Sequence, residues 1–193
     1  MNTPTKIIVH HTGGVQGNPH ASTRHHTAET VNRHHMTLWP RFISKLGWHV
    51  GYHYIIEATG KTVQCRGTSE EGAHTIGMNK SSIGVCLTGN FDTEFPTRKQ
   101  QDAFVKLFKG IKKDYPHITV YDIEPHRKYA RKSCFGTQLP DDYFQKIVTA
   151  DLPQKDKLAE KVQHEERAKM LTLIETLRQL IALLSAQLAR KYE

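Results

Sequence analysis

The chain alternates short apolar segments of strand character with longer segments of helical periodicity, and this alternation constrains the fold more than any other feature. The strand-like segments are residues 6–9, 52–57, 62–65 and 83–87, and residues 120–123 lead into a further loop. The helix-like segments are residues 28–38, 97–115 and 141–148. Interleaved strands and helices predict an α/β domain, with a mixed central β-sheet flanked by helices.

The C-terminal segment, residues 151–193, has a different pattern. Its apolar residues follow spacings of four and three, which is the heptad repeat of a coiled coil, and they are Ile174, Leu177, Ile181, Leu184 and Leu188. Leu173 and Leu180 widen this stripe beyond a narrow two-stranded seam. We therefore predict a domain at residues 1–150 and a C-terminal amphipathic or coiled-coil helix at residues 151–193.

Three roles for this helix remain open from the sequence. The first is packing on its own domain, and the second is formation of a homo-oligomer through residues 155–193. The third is contact of the apolar face with a membrane, which is suggested by the Lys and Arg residues that flank the apolar run. No stretch of about 20 residues is free of charge, so a membrane span is not expected.

Histidine and cysteine occur at three positions that suggest a metal site. A strand ends in His10, and the loop around residues 124–136 holds His126 and Cys134. Zinc prefers these two ligand types, and catalytic zinc sites use three protein ligands and keep one position open. Cys65 and Cys86 are isolated, so a structural zinc finger is not indicated. The alternative is a set of unrelated polar residues in a chain with 13 histidines.

Charge and cysteine usage restrict the classes of partner. The net charge is +8, and only +1 of it belongs to residues 151–193, so the N-terminal domain is basic. Nucleic acid, anionic lipid and anionic wall polymers all suit a basic surface. Paired zinc-ligand spacing and an aromatic-basic motif are both missing, so nucleic acid is not expected as a partner. Three cysteines without paired spacing argue against a disulfide scaffold.

Four ordered segments carry a family resemblance. They are "IIVHHTGG" (7–14), "GWHVGYHYIIEATG" (47–60), "EGAHTIGMNKSSIGVCLTGNF" (71–91) and "PHRKYARKSC" (125–134). Together they resemble the zinc-dependent N-acetylmuramoyl-L-alanine amidases, in particular phage lysozyme-type endolysins and peptidoglycan recognition proteins. The resemblance covers about residues 5–148.

The resemblance implies a role for each residue of the site. It implies that His10, His126 and Cys134 bind Zn²⁺, with His10 preferred to His11 because the metal-binding histidine of the family aligns with the first residue of the His-His-Thr run. Strand alternation adds that only one of the two neighbours faces the site. It also implies that Tyr52 and Lys132 are catalytic, with Lys132 stabilising the oxyanion.

Other positions are assigned by the same resemblance. His74 and Asn79 are expected to contact substrate beside the metal. Some relatives carry a glutamate where this chain has Cys86, and this sequence therefore groups with the tyrosine-bearing branch. Tyr54 is expected on the same strand face as Tyr52, as a buried sheet residue.

The resemblance implies a bacteriolytic peptidoglycan hydrolase that uses a zinc-activated water to cleave the amide bond between N-acetylmuramic acid and L-alanine. The alternative is a non-catalytic peptidoglycan-binding module. The first residues lack an export signal, so we expect synthesis in a cytoplasm. Action on the cell wall would then follow release by a separate pore former.

Overall fold

The computed structural model describes residues 2–192, with side chains up to residue 189. Residue 193 and the side chains of residues 190–192, which belong to the predicted C-terminal helix, lie outside the described part. The chain divides into two compact units, Met1–Leu152 and Pro153–Glu193.

The first unit contains one five-stranded sheet. Its strands are β1 (Lys6–His11), β2 (Tyr54–Ile56), β3 (Thr62–Gln64), β4 (Ser82–Leu87) and β5 (Ile123–Pro125). They lie in the order β3-β2-β4-β1-β5, and only β3 is antiparallel to its neighbour. The helices of this unit are α1 (Ala28–Leu38), α2 (Arg98–Asp114) and α3 (Tyr143–Asp151), and short 3-10 turns occupy Val120–Asp122 and His126–Lys128. The prediction of a mixed central sheet with flanking helices is confirmed.

The two central strands, β1 and β4, are buried along most of their length, as parallel strands covered on both faces are. Their register pairs Lys6 with Ser82 and His10 with Cys86. On one face, Val9 and Val85 pack with Phe104 of α2 and Phe144 of α3. The other face packs against α1, and the residues buried there are Ala28, Val31, Val50, Ile55, Cys65 and Cys86.

Local sequence explains where the helices begin. The Thr97 hydroxyl accepts a hydrogen bond from the Gln100 main-chain amide, and the Gln100 side chain accepts one from the Thr97 main-chain amide. Helix α2 therefore starts with a complete capping box. Thr27 caps α1 with a single bond, because its side chain accepts a hydrogen bond from the Thr30 main-chain amide. Both helices therefore begin where a polar cap precedes an amphipathic run.

The expectation that Tyr52 and Tyr54 share a strand face is wrong. β2 begins only at Tyr54, and residues 51–53 form bends. The alternation of a regular strand therefore does not extend to Tyr52. Tyr54 packs with the α2 side of the sheet, whereas Tyr52 packs with the α1 side.

The second unit is the helix α4 (Gln154–Tyr192). Every apolar residue of the predicted stripe is exposed, from 38% at Ile174 to 63% at Ile181. By length and composition alone, the helix Gln154–Ala189 contains an 18-residue window that is apolar enough to cross a membrane. The expectation from charge did not allow for this, because such a window tolerates up to two charged residues. These two properties do not distinguish a membrane-spanning helix from one that pairs with another helix.

Candidate metal centre

Three metal-ligating side chains converge at the carboxyl ends of β1 and β5. One ligand atom from each of His10, His126 and Cys134 lies within 4.8 Å of the other two. Nδ1 of His10 is 3.7 Å from Sγ of Cys134, and the His10 and His126 ring centroids are 4.3 Å apart. The structure thus brings together residues that are 116 and 124 positions apart in the chain.

Strand register places the two histidines side by side. In the parallel β1–β5 pair, Val9 lies opposite Pro125, so His10 and His126 each follow the last paired residue. A 3-10 turn begins at His126, directly after the strand. Ligand sites in open α/β sheets commonly lie beyond the carboxyl ends of strands. The metal-ligating position of His126 therefore follows from the pairing of β5 with β1.

Two charged side chains brace the loop that carries Cys134. Asp92 accepts the Ser133 hydroxyl at 2.7 Å and the Thr137 main-chain amide at 2.8 Å. Arg127 donates to the Gly136 carbonyl at 2.6 Å and also to the Leu139 carbonyl. Because Arg127 directly follows His126, these bonds tie the two ligand-bearing segments together. The sequence pattern alone does not indicate a role for either charged residue.

Burial determines the protonation of the three candidate ligands. It lowers the pKa of His10 well below the usual value, and the charges of His74 and His126 lower it further. Burial and the Lys132 charge lower the pKa of His126. Burial raises the pKa of the Cys134 thiol to about 12, opposed by the His11 main-chain amide and by Lys132. Both imidazoles are therefore neutral at pH 7, and a bound cation has to displace the thiol proton.

The donor set fits zinc. At the usual Zn–N and Zn–S lengths, ligand atoms of a tetrahedral site lie about 3.5 Å apart, close to the 3.7 Å between His10 and Cys134. Two neutral imidazoles and one thiolate leave a fourth tetrahedral position without a protein ligand. Three protein ligands and one open position are typical of catalytic zinc sites, whereas structural zinc sites have four protein ligands.

The three ligands lie in a cavity of about 540 Å³, which Tyr52, His74 and Lys132 also line. The Tyr52 ring lies 4.9 Å from the His10 ring, and burial together with the Cys86 and Cys134 thiols raises the pKa of its hydroxyl. Lys132 is exposed at the rim. Both predicted catalytic residues therefore line the cavity that contains the three candidate ligands.

His74 and Asn79 occupy different positions. His74 lines the cavity but is only 9% exposed, and its Nδ1 lies 3.1 Å from Nε2 of His10. Asn79 is not among the lining residues of this cavity, and its Oδ1 accepts the main-chain amides of His74 and Thr75. The Asn79 side chain therefore fixes the loop that carries His74.

His11 and Cys86 flank the ligands without joining them. The Nδ1 atom of His11 accepts a hydrogen bond from the Phe91 main-chain amide at 3.0 Å, and its ring packs 5.7 Å from the Phe91 ring. Cys86 is paired with His10 in the sheet and is fully buried. Its side chain is hydrogen-bonded to Tyr52, and it occupies the strand position where some relatives have a glutamate.

His35 is a further lining residue, and the sequence pattern indicates no role for it. It borders both the ligand cavity and an adjoining cavity of about 490 Å³, which share Thr12, His35 and Tyr52. Its Nδ1 accepts the Gly51 main-chain amide at 3.1 Å, which leaves the proton on Nε2. Trp39 stacks edge-on against this ring at 5.0 Å. The "HH" pair in α1 gave no signal that separates His35 from the exposed His34.

A larger cavity, of about 740 Å³, lies between the β2–β3 hairpin and α2. Tyr54, Lys99 and Lys106 line it, and none of the three candidate metal ligands does. Size alone therefore selects a different cavity from the one that contains the metal-ligating residues. The three candidate metal ligands make the smaller cavity the candidate functional site.

The chain belongs to the N-acetylmuramoyl-L-alanine amidase family, whose model matches residues 1–137. This finding confirms the resemblance seen in the four sequence motifs. The match ends before α4, and it includes all three candidate metal ligands.

Individual relatives are found among recognition proteins and endolysins. A peptidoglycan recognition protein of Trichoplusia ni is 35% identical over 94 residues, which are 48% of this chain and half of that protein. Peptidoglycan-recognition protein SC2 of Drosophila melanogaster is 27% identical over 68% of both chains. The solved amidase LysC from Clostridium intestinale URNW shares the fold, with a TM-score of 0.59 and 24% identity over 76% of this chain and 83% of that chain. Bumblebee PGRP-SA gives a TM-score of 0.57 and 26% identity over 79% and 83%.

Buried histidines make the fold sensitive to acid. Burial lowers the pKa of His11, His35 and His53 to about 4, and that of His74 to about 3, whereas an unfolded histidine titrates near 6.5. The unfolded chain therefore binds more protons below pH 6.5, and the stability present above that pH is lost as the pH falls towards 4.

We expect the free energy of unfolding, measured by urea titration with a chelator present, to fall between pH 7 and pH 5. The expected loss is about 1–2 kcal/mol per buried histidine at pH 5. A His35→Asn variant keeps an acceptor for the Gly51 amide and should show a shallower dependence on pH. Equal stability at pH 7 and pH 5 would contradict this account.

Proposed function

We propose that this chain is a peptidoglycan amidase that hydrolyses the bond between N-acetylmuramic acid and L-alanine. The observation that carries the proposal is the convergence of His10, His126 and Cys134 in an open cavity of a chain that belongs to this amidase family. A zinc ion held by these residues would supply a Lewis acid that acidifies water and polarises an amide carbonyl.

Two further side chains, Lys132 and Tyr52, would stabilise the charge that develops on the substrate carbonyl. Lys132 at the rim presents an ammonium group to the oxyanion that forms when the substrate carbonyl is attacked, the kind of donor that contributes about 3–4 kcal/mol to catalysis. Tyr52 is kept protonated by burial, so its hydroxyl acts as a hydrogen-bond donor near the reacting carbonyl. Catalysis by electrostatic stabilisation needs such donors to be held in place before substrate binds.

A non-catalytic peptidoglycan-binding module is the alternative function. The relatives that are named peptidoglycan recognition proteins support this alternative. The complete ligand set and the lysine beside it favour catalysis, because binding of a wall fragment alone requires neither an open metal site nor a cation at its rim.

The proposal places this activity at the bacterial wall, in the manner of a lysin. Its basic N-terminal domain suits the anionic polymers of an envelope, because opposite charges attract each other over distances of about a Debye length. Two solved structures of similar fold are named as endolysins, which supports this setting. Release by a separate pore former stays a prediction.

His126→Ala is expected to abolish hydrolysis of purified sacculi, because two protein ligands do not hold the metal in an open tetrahedral site. The measurement is the appearance of new amino termini, together with mass spectrometry of the released fragments. His20→Ala is the matched control, because His20 is exposed and is not among the lining residues of the cavity. Hydrolysis by His126→Ala at the unaltered rate, or wall binding without new amino termini in the unaltered protein, would refute the proposal.

We further propose that α4 joins copies of this chain. In the heptad repeat, position a is occupied by Ile174 and Ile181, and position d is occupied by Leu177 and Leu184. Isoleucine at a with leucine at d favours paired helices. The stripe contains eight exposed residues, which are Met170, Leu173, Ile174, Leu177, Leu180, Ile181, Leu184 and Leu188. At roughly 80 Å² each, they offer roughly 600 Å² per helix, most of the ~800 Å² that each partner contributes to a stable interface.

The polar face of α4 carries too few cations for a helix that lies on a membrane surface. Helices that lie on membranes carry many Lys and Arg on their polar face. Between residues 170 and 189 the single cation is Arg178, and Glu175 balances it. A second copy therefore fits the stripe better. Joined copies would bind a polymeric wall at several points, which raises the overall affinity without new contacts.

Leu184→Lys is expected to convert the full-length protein to a monomer in analytical ultracentrifugation, because it places a charge in the seam. Leu183→Lys makes the same change one residue away, off the seam and at 64% exposure, and should leave the oligomer intact. A monomeric unaltered protein would overturn the proposal, as would equal effects of the two variants. Binding of the unaltered monomer to anionic vesicles would assign the stripe to a membrane instead.

A further inference from the structure

The His10 imidazole directs its two nitrogens to different partners. Nδ1 lies 3.7 Å from Sγ of Cys134, on the side where the candidate ligand atoms converge, and Nε2 lies 3.1 Å from Nδ1 of His74. A neutral imidazole carries one proton, so Nδ1 has a free lone pair only when the proton is on Nε2. The acceptor that faces Nε2 therefore determines whether His10 is able to bind a metal.

That acceptor is the Nδ1 lone pair of His74, reached by one of two routes. His10 Nε2 donates to it directly, or donates to Thr75 Oγ1 at 3.4 Å, which in turn donates to His74 Nδ1 at 3.0 Å. Both routes end on the same atom. Because His10 is only 1% exposed, water does not readily replace this acceptor.

The fold holds the His74 ring rigidly in this position. A Cβ added at Gly84 would lie 2.6 Å from the ring, and one added at Gly72 would lie 2.6 Å from its Cδ2 atom. Both glycines therefore leave the space that the ring fills. Asn79 Oδ1 accepts the main-chain amides of His74 and Thr75 at 2.9 and 2.8 Å, which fixes the backbone beneath the ring.

The contacts of His74 with the ligand-bearing strand all involve one nitrogen. Nδ1 of His74 lies 3.1 Å from Nε2 of His10 and 3.0 Å from Oγ1 of Thr75. The Ser82 main chain also interacts with the ring and raises its pKa, against the larger lowering by burial. Nδ1 is therefore the atom of His74 that acts on His10.

We propose that His74 is a positioning residue that keeps the proton of His10 on Nε2 and so presents Nδ1 to the metal. The inference rests on the proposed zinc site, and it departs from the expectation that His74 acts by touching substrate. Groups that hydrogen-bond a metal-ligating histidine typically change metal affinity about 10- to 100-fold when they are removed. A substrate contact would change KM and leave zinc affinity unaltered.

The test uses two substitutions of similar size. In His74→Asn, the amide oxygen takes the place of Nδ1 and still accepts a hydrogen bond, whereas His74→Leu keeps the bulk and lacks an acceptor. Zinc affinity is measured on the full-length protein by competition with a chromophoric chelator. His20→Ala, which removes an exposed histidine, is the control.

We expect His74→Asn and His20→Ala to bind zinc within a few-fold of the unaltered protein, and His74→Leu to bind it about 10- to 100-fold more weakly. Equal affinity of His74→Leu and the unaltered protein would overturn the inference. Equal weakening by Asn and Leu would overturn it too, because the effect would then lie in the ring and not in the acceptor. If the unaltered protein binds no zinc, the proposed function fails as well, and this outcome is distinct from the other two.

Discussion

The parallel pairing of β5 with β1 is the contact on which the rest of the site depends. It sets His126 beside His10 at the same edge of the sheet, although 116 residues separate them in the chain. A shift of one residue in this register would turn the His126 side chain to the other face. The apolar burial that fixes the register, at Ile7 and Ile123, therefore also fixes the metal-ligating geometry.

Around this pair the chain holds its polar groups in place through hydrogen bonds between distant segments. Asp92 and Arg127 position the Cys134 loop, and His74 faces the far nitrogen of His10. Groups held before substrate arrives do not have to reorganise during the reaction, which is where electrostatic catalysis gains its advantage. The low pKa values of the buried histidines follow from the same burial, and so does the acid sensitivity of the fold.

Local patterns in the sequence predict much of this architecture. The helical periodicity of residues 97–115 predicts α2, and the order of four motifs predicts the family. The sequence does not reveal where a strand starts to be regular, and Tyr52 and Tyr54 were therefore placed on one face. Contacts between distant loops, such as Asp92 with Ser133, are also invisible to periodicity. The position of His74 depends on space left by Gly72 and Gly84, which only the packed structure displays.

X-ray absorption at the zinc edge of the purified full-length protein tests the central claim most directly, because it counts the atoms around the metal. The account predicts one sulfur at about 2.3 Å together with two imidazole nitrogens and one further light atom at about 2.0–2.1 Å. A zinc environment without sulfur, or with two or more sulfurs, would contradict the convergence of His10, His126 and Cys134 on one ion.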